Sequence, residues 1–291
     1  MTTRQPIICG VDSSSGARRA ALTARTLAEL LHCELVLVHV VPPRPPMPFA
    51  TVPLGGHPVG PAQMIELNRL ESDAAFASVA DELADTDAEH IIEHGHPAGR
   101  LSAVADARDA HLIVVGTRGN GAARSALLGS VSQELAAGAS RPVVVVPASE
   151  DAPESCLGPG PVVCGVDGSE GSQAAAHVAT RLADELHVAL TLVSVRAPRV
   201  TGDEVAAGLA VTTLSTPTSD HVERLAISGD PAEELTRAAA DRNAVLLVVG
   251  SRGRGPIRAA LLGSVSAEVT RRSHCPVLVV PPGAATDRAS D

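Results

Sequence analysis

The sequence predicts an α/β protein built from two tandem doubly wound domains, each an open five-stranded parallel sheet flanked by helices. Continuously apolar runs such as "IICG" and "LIVVG" alternate with alanine-rich segments that carry Arg and Glu. That alternation is typical of strands covered on both faces and of their crossover helices. The same order of segments occurs twice along the 291 residues. Because the chain is 45% hydrophobic and has no Trp or Tyr, we expect aliphatic side chains to build its core.

The first half supplies the elements of one such domain in order. Its first strand, at residues 7–10, leads into "VD" with Asp12, and its fourth strand ends at Gly116. A long proline-rich loop is predicted at 42–63, because proline cannot donate to a strand ladder or continue a helix. The other segments are predicted as helices at 16–32, 63–84, 97–109 and 130–138 and as strands at 34–41, 111–116 and 141–147.

The second half repeats these segments. "IICGVDSS" at 7–14 returns as "VVCGVDGS" at 162–169, and "GTRGNGAARSALLGSVS" at 116–132 returns as "GSRGRGPIRAALLGSVS" at 250–266. The offset is 155 positions at the first strand and 134 in the later segments. A tandem duplication therefore organises the chain.

The duplication places the two domains at residues 1–152 and 153–291. The second domain is expected to have a shortened second helix, because residues 201–220 are rich in Thr and contain Gly and Pro. The last strands, "RPVVVVP" and "CPVLVVP", are expected at sheet edges, where they join the halves or pair two chains. An uncovered aliphatic edge would be an aggregation hazard.

Charge and composition exclude several classes of protein. The net charge of −10 argues against a nucleic-acid partner, since binding phosphate polymers needs a basic surface. All 23 basic residues are Arg, which excludes Schiff-base chemistry and the GxxxxGK[ST] loop. No apolar stretch reaches the roughly 18 residues of a membrane span, and the N-terminus lacks the features of a signal peptide. We expect a cytoplasmic protein without a membrane partner.

The five cysteines fit no metal or CxxC spacing, and their odd number argues against a closed disulfide framework. Cys9 and Cys164 fall in matching strands. Small buried hydrophobes are therefore favoured over redox residues at these two positions.

A glycine frame with constant spacing is the strongest functional signal. It consists of Gly, two residues, Gly, nine residues and Gly-Ser in both halves. Glycine lets backbone N–H groups close around an anion, and the "GSVS" that follows opens a helix whose free N–H groups and dipole favour phosphate. Arg118 and Arg252 lie inside the two frames and can supply the positive charge that lysine supplies elsewhere.

Two readings of the frame need no ligand. Gly116 can be an ordinary strand-ending glycine, and Ser130 with Gln133 can form a capping box at the start of the helix. Ala267 replaces the glutamine in the second half, although the Gly-Ser pair is kept. Because the glycine spacing is kept where the capping box is not, a phosphate loop is favoured.

The glycine frame, the Asp after the first strand and the "HVV" end of the second strand resemble the ATP-binding branch of the universal stress protein family, whose fold is of the adenine nucleotide α-hydrolase type. The duplicated layout resembles its tandem members. The resemblance implies an adenine at the end of the second strand, a ribose near the Asp and phosphates in the frame. In the first half it implies contacts from Asp12, Val40, Gly116, Gly119, Gly129, Ser130, Val131 and Ser132. In the second half it implies contacts from Asp167, Val195, Gly250, Gly253, Gly263, Ser264, Val265 and Ser266.

Two other motifs contain residue types that are common at functional sites. "HIIEHGH" brings His90, His94 and His96 close in sequence, but no Cys accompanies them, and solvated strand-edge histidines are favoured over a metal site. "VDSSSG" has some likeness to the loops of pyrophosphatases that use ATP, although capping of the first helix by one of Ser13 to Ser15 is favoured.

These observations favour an ATP-binding stress-response regulator that is not an enzyme, with one site per domain and ATP, with or without Mg²⁺, as its ligand. Its nucleotide state would act on an unknown regulatory protein or on assembly, including a homodimer built on the internal pseudo-dimer. The alternatives are a slow ATPase or adenylating enzyme and a nucleotide-independent scaffold. No general base recurs beside both frames, which favours the first function. The residues leave open whether AMP or a cyclic nucleotide replaces ATP.

Overall fold

The continuously apolar segments form strands, as the sequence predicts. The computed structural model describes residues 5–43, 61–84, 86–117, 128–147, 157–196, 222–253 and 261–282. The strands of the first half are β1 (Ile7–Gly10), β2 (Leu35–Val41), β3 (Ala88–His94), β4 (Leu112–Gly116) and β5 (Val143–Val146). Those of the second half are β6 (Val162–Gly165), β7 (Leu190–Arg196), β8 (Val222–Ser228), β9 (Leu246–Gly250) and β10 (Val277–Val280).

Helices cover both faces of the strands. In the first half they are α1 (Ser15–Leu31), α2 (Pro61–Ala77), α3 (Pro97–Ala107) and α4 (Ser130–Gly138), with a short 3₁₀ turn at Asp81–Leu83. In the second half the described helices are α5 (Glu170–Glu185), α6 (Pro231–Asp241) and α7 (Ser264–Arg272). None of the helices in the described stretches is long and apolar enough to cross a membrane.

The ten strands form one sheet in the order β3-β2-β1-β4-β5-β10-β9-β6-β7-β8. Neighbouring strands within each half are parallel, whereas β5 and β10 pair antiparallel, with Leu278 opposite Val144. The last strand of each half is thus the edge of its own five strands and joins the two halves. The predicted fold class and the predicted junction through these two strands are confirmed.

Alternate side chains of the strands build the two sides of the core. Cys9, Leu37 and Val114 pack on the side of α1, and this cluster continues into the second half through Leu278. Each fully buried aliphatic side chain stabilises the fold by about 1.5–3 kcal/mol. Cys9 and Cys164 are fully buried in this cluster, and burial raises the pKa of both thiols to about 12. The interpretation of these cysteines as small buried hydrophobes is confirmed.

The outer strands β3 and β8 differ from the central ones because one side of each is open to solvent. The exposure of the side chains alternates along most of each strand. An ion pair links each strand to the end of a neighbouring helix: Arg108 pairs with Glu89, and Arg242 pairs with Glu223 at the corresponding position of the second half. His90 and His94 are exposed on β3, which confirms that they are strand-edge histidines. His90 also stacks on Phe76 of α2, with ring centroids 4.5 Å apart. Charges on outer strands discourage edge-to-edge pairing with another chain.

One expectation of the domain layout is corrected, and the others lie outside the described residues. The loop predicted at 42–63 ends earlier, because α2 already begins at Pro61, and proline is favourable in the first turn of a helix. Residues 44–60 of that loop and the expected helix stub at 201–220 lie outside the described residues. The boundary between residues 152 and 153 also lies outside them and stays a prediction.

Candidate functional site

The winding of each half reverses beside its first strand, which creates a crevice at the carboxyl ends of two neighbouring strands. β1 lies between β2 and β4, with Cys9 opposite Val114, so Asp12 after β1 and Gly116 at the end of β4 lie at the same edge. β6 and β9 repeat this arrangement in the second half. Ligands of open parallel sheets gather at such reversal points.

The Asp that follows the first strand fixes the start of the next helix. Asp12 Oδ1 accepts hydrogen bonds from the backbone N–H of Ser14, at 3.0 Å, and from its hydroxyl. Ser14 is the N-cap of α1, and its Oγ accepts from the backbone N–H of Ala17. Asp167 and Ser169 form the same turn before α5, with 2.9 Å between Asp167 Oδ1 and Ser169 N. Capping by one of Ser13 to Ser15 is confirmed, and each Asp has a structural role that the sequence analysis did not assign.

The first glycine of each frame allows a helix to approach the end of a strand. A Cβ on Gly116 would lie 2.7 Å from the carbonyl oxygen of Gly16 in α1, and a Cβ on Gly250 would lie 2.5 Å from that of Gly171 in α5. Real Cβ atoms do not come so close to backbone, so no other residue fits without movement. Gly116 and Gly250 are therefore explained by packing alone, and this packing brings the start of α1 or α5 over the crevice.

Backbone hydrogen bonds close each frame at its base. The N–H of Gly129 donates to the carbonyl of Thr117 at 2.7 Å, and that of Gly263 donates to Ser251 at 2.8 Å. The hydroxyl of Ser132 donates to the carbonyl of Gly129 at 2.9 Å. These bonds bring residues 117 and 129, and residues 251 and 263, together at the strand end.

The second serine of each "GSVS" segment supports the base of the frame from inside the fold. The hydroxyl of Ser266 donates to the carbonyl of Gly250 at 2.6 Å, and both Ser132 and Ser266 are buried. Each hydroxyl already donates its hydrogen to a backbone carbonyl, so donation to a phosphate at Ser132 and Ser266 is left to the backbone N–H groups.

The helix after each frame begins without a side-chain cap. Gly129 is the N-cap of α4 and Gly263 is the N-cap of α7, and neither helix has a side-chain hydrogen bond at its cap. The capping box of Ser130 and Gln133 is wrong, because Ser130 is already the first helical residue. The first three N–H groups of an α-helix have no partner within it and carry the positive end of its dipole. Both helix starts are therefore suited to an anion.

The frame and the Asp meet directly in the second half. A Cβ on Gly253 would lie 2.8 Å from Asp167 Oδ2, so the second glycine of the frame passes over the carboxylate. Gly253 is exposed, and the neighbouring Arg252 is half-buried. Arg118 and Gly119, their counterparts in the first half, lie outside the described residues.

Valines flank the crevice on its apolar side. Val40, at the end of β2, is 8% exposed, whereas Val195 at the matched position of β7 is half-buried. Val131 packs partly against the core of the first half, while Val265 is exposed, as are Ser130 and Ser264. The structure thus brings the described residues of each predicted set to one edge of the sheet, and their contact with a ligand stays a prediction.

The close-contact glycines Gly16 and Gly171, which shape the crevice, were not singled out from the sequence. The capping serines are Ser14, which was among the three candidates in the first half, and Ser169, its counterpart in the second half. Both pairs are related by the offset of 155 positions. Comparing the two halves residue by residue within "VDSSSG" and "VDGSEG" was the signal that could have found them.

Comparison with known proteins agrees with this layout. The model of a family described as the universal stress protein family matches residues 3–147 and again residues 160–281. The chain belongs to the universal stress protein family. A universal stress protein of Mycolicibacterium smegmatis is 33% identical over 303 residues, covering 96% of this chain and 98% of the relative. Another, from Mycobacterium tuberculosis, is 31% identical over 291 residues, covering 94% and 96%.

The solved structures show the same architecture. The crystal structure of a universal stress protein from Archaeoglobus fulgidus has a TM-score of 0.70 and covers 97% of this chain and 100% of its own, with 20% sequence identity. At that identity the likeness concerns the fold. Within the family, this chain is therefore a tandem member whose two matched segments coincide with the two five-stranded halves.

Proposed function

We propose that this universal stress protein is an ATP-binding regulator with one nucleotide site in each half, and that it signals by its nucleotide state with little or no hydrolysis. The observation that carries the proposal is the meeting of Asp167 with Gly253, beside a helix start that no side chain caps. A carboxylate that can accept from ribose hydroxyls and N–H groups that can donate to phosphate lie together there.

The described residues fit an adenine nucleotide in four respects. A Cβ at Gly253 would fill the space beside the carboxylate, so glycine keeps that space open. The uncapped starts of α4 and α7 would hold phosphate oxygens through backbone N–H groups. Val40 and Val195 would supply the apolar contact for adenine. Arg252, and Arg118 in the first half, would add positive charge without lysine.

Nucleotide stoichiometry tests the proposal directly. Because the chain has no Trp or Tyr, bound adenine near 260 nm is measured almost without protein background. We expect equilibrium dialysis with ATP to saturate at two nucleotides per chain, since each half has its own Asp and its own frame. Saturation at one would show that one frame is degenerate, and the absence of binding by adenine nucleotides would reject the function.

Substitution of the two Asp residues gives a sharper test. Asn in place of Asp12 or Asp167 keeps an Oδ1 that can accept from Ser14 or Ser169, so α1 and α5 should still be capped. The negative charge beside the frame is lost. We expect each single variant to weaken one of the two sites with little change in melting temperature. Unchanged affinity in both variants would remove the ribose contact from the proposal.

The competing function is a slow ATPase or adenylating enzyme of a related nucleotide-binding fold. Steady-state release of phosphate or pyrophosphate separates the two, because a regulator should retain intact ATP over many hours. Dialysis with and without EDTA shows whether Mg²⁺ accompanies the phosphates. Parallel titrations with AMP and a cyclic nucleotide decide which adenine nucleotide binds best. The regulatory partner and a homodimer belong to the same proposal, and sedimentation with and without ATP tests whether nucleotide changes assembly.

A further inference from the structure

A cavity lies where the two halves meet, away from both crevices. It has a volume of about 290 Å³. From the first half it takes the beginnings of β4 and β5, which are the strand ends opposite to the glycine frame. From the second half it takes the later part of α5, remote from Asp167.

The cavity has an apolar floor and a charged collar. The floor consists of Leu112, Leu182 and Leu278, all at most 2% exposed. The collar includes His111, Arg141 and Arg181, with side chains 11%, 23% and 37% exposed, and also the carboxylate of Asp106, which accepts from the hydroxyl of Ser140. The arginines and the imidazole can donate hydrogen bonds to a ligand, while the leucines provide an apolar surface for it to contact.

The duplication supplies a matched set of positions for comparison. The floor residues Leu112, Leu182 and Leu278 correspond to Leu246, Leu27 and Val144, so the floor is apolar in both sets. The collar is not kept: His111, Arg141 and Arg181 correspond to Val245, Cys275 and Thr26. Because the matched set folds with neutral residues, the fold does not require the charges of the collar.

The existing ion pairs indicate the chemistry that the collar accepts. Arg141 is held by two carboxylates, with 2.8 Å between its Nη1 and Asp109 Oδ1 and 3.5 Å between its Nε and Asp106 Oδ1. Arg181 and His111 both approach the carboxylate of Glu185, but at 3.9 Å and 3.6 Å these distances exceed those of good hydrogen bonds. Leu30 stands at the position matching Glu185. The collar thus already gathers two donors around one loosely held carboxylate.

We propose that this cavity binds a small organic carboxylate, with its apolar body on the leucine floor and its carboxylate replacing that of Glu185 between Arg181 and His111. A charge-assisted, two-pronged bond to a guanidinium favours a carboxylate over a neutral group. The volume lies just below the range of drug-sized pockets, so the ligand is smaller than a nucleotide. Since residues of both halves line the cavity, the ligand would contact both halves.

Benzoate is a suitable probe, with benzamide as its neutral equivalent and inorganic phosphate as a general anion. By titration calorimetry on the full chain, we expect one benzoate per chain, bound at least about tenfold more tightly than benzamide or phosphate. ATP stoichiometry should be unchanged by saturating benzoate. Benzoate that does not bind, or phosphate that binds as tightly, would overturn the proposal.

Two variants that copy the matched positions locate the site. Arg181→Thr and His111→Val introduce residues that the other copy already accommodates, and each should weaken benzoate at least about tenfold. Arg272→Thr removes one positive charge from α7, away from the cavity, and should leave benzoate affinity unchanged. Melting curves without benzoate confirm that each variant is folded. Equal benzoate affinity in all three variants would overturn the site.

Discussion

The base of the glycine frame is almost the same in the two halves, whereas the residues of the neighbouring second strand differ between them. The distance from the Asp Oδ1 to the serine backbone N is 3.0 Å in the first half and 2.9 Å in the second. The hydrogen bond that closes the base of the frame has an N···O distance of 2.7 Å in the first half and 2.8 Å in the second. On β2, however, buried His39 bonds the carbonyl of Val11 and meets Phe76 of α2 edge-on. Ser194 takes the place of His39 on β7.

This difference separates what the frame needs from what it tolerates. The turn, the closed base and the uncapped helix depend on the first and fourth strands and their helices, which both halves share. The end of the second strand differs in sequence, since the first half reads "HVVPP" where the second reads "SVRAP". We therefore expect the two proposed sites to bind phosphate in similar ways and to bind adenine in different ways.

The largest effect is expected from the glycines that both halves need for packing. Gly116→Val and Gly250→Val each force a side chain against helix backbone, and overpacking of this kind should cost about 3 kcal/mol of the free energy of unfolding. Denaturant unfolding of both variants measures the loss. In contrast, Gly99→Ala in α3 meets nothing within 4 Å and should stabilise by about 0.5–1 kcal/mol. Losses below about 1 kcal/mol at Gly116 and Gly250 would refute the close-packing explanation.

The next effect concerns the second glycine of the frame. Gly253→Val would place its side chain against Asp167 Oδ2, so the second site should be lost while the first keeps its ligand. Bound adenine per chain should fall from two to one, with little change in the melting temperature without nucleotide. Gly119→Val is the counterpart predicted from the sequence for the first half. Two nucleotides per chain in the Gly253 variant, together with a lower melting temperature, would show that this glycine only shapes a loop.

A smaller and equal effect is expected from the two N-caps. Ser14→Ala and Ser169→Ala each remove the hydroxyl that accepts from a first-turn N–H, and each should cost about 1 kcal/mol. Ser14→Thr and Ser169→Thr keep an acceptor and serve as controls. A loss in only one half would mean that the matched turns differ in strength, contrary to their distances.

The smallest effect is expected from the ion pairs of the outer strands. Hydrogen bonding to Arg108 lowers the pKa of Glu89, and hydrogen bonding to Arg242 lowers the pKa of Glu223. Each pair should therefore stabilise the fold above the ordinary carboxyl pKa of 4.5, and this stabilisation should be lost as pH falls through the lower folded value. Because both pairs are exposed, Glu89→Gln and Glu223→Gln should cost at most about 1 kcal/mol at pH 7. Unfolding at pH 7 and pH 3 measures the difference, which should be smaller at the lower pH.

Much of this architecture was predictable because the physical signals are local. Continuous apolar runs specify buried parallel strands, and the repeat of the "GVD" and "GSVS" segments predicted which strand ends meet. The close contact of Gly116 with Gly16 was not predictable from one copy, since it depends on how near α1 lies to β4. The predicted capping box is wrong for a similar reason, because Gly129 and not Ser130 is the N-cap residue of α4.

The antiparallel pairing of β5 with β10 has a consequence for how the two halves could evolve. Two separate copies that paired through their last strands would associate only above some concentration and would have to present identical surfaces to each other. Covalent linkage makes the same association intramolecular and independent of dilution. It also removes the demand for symmetry, so each side of the junction can change alone. A cavity with arginines at two positions whose matched residues in the other copy are cysteine and threonine is available only to a chain fused in this way.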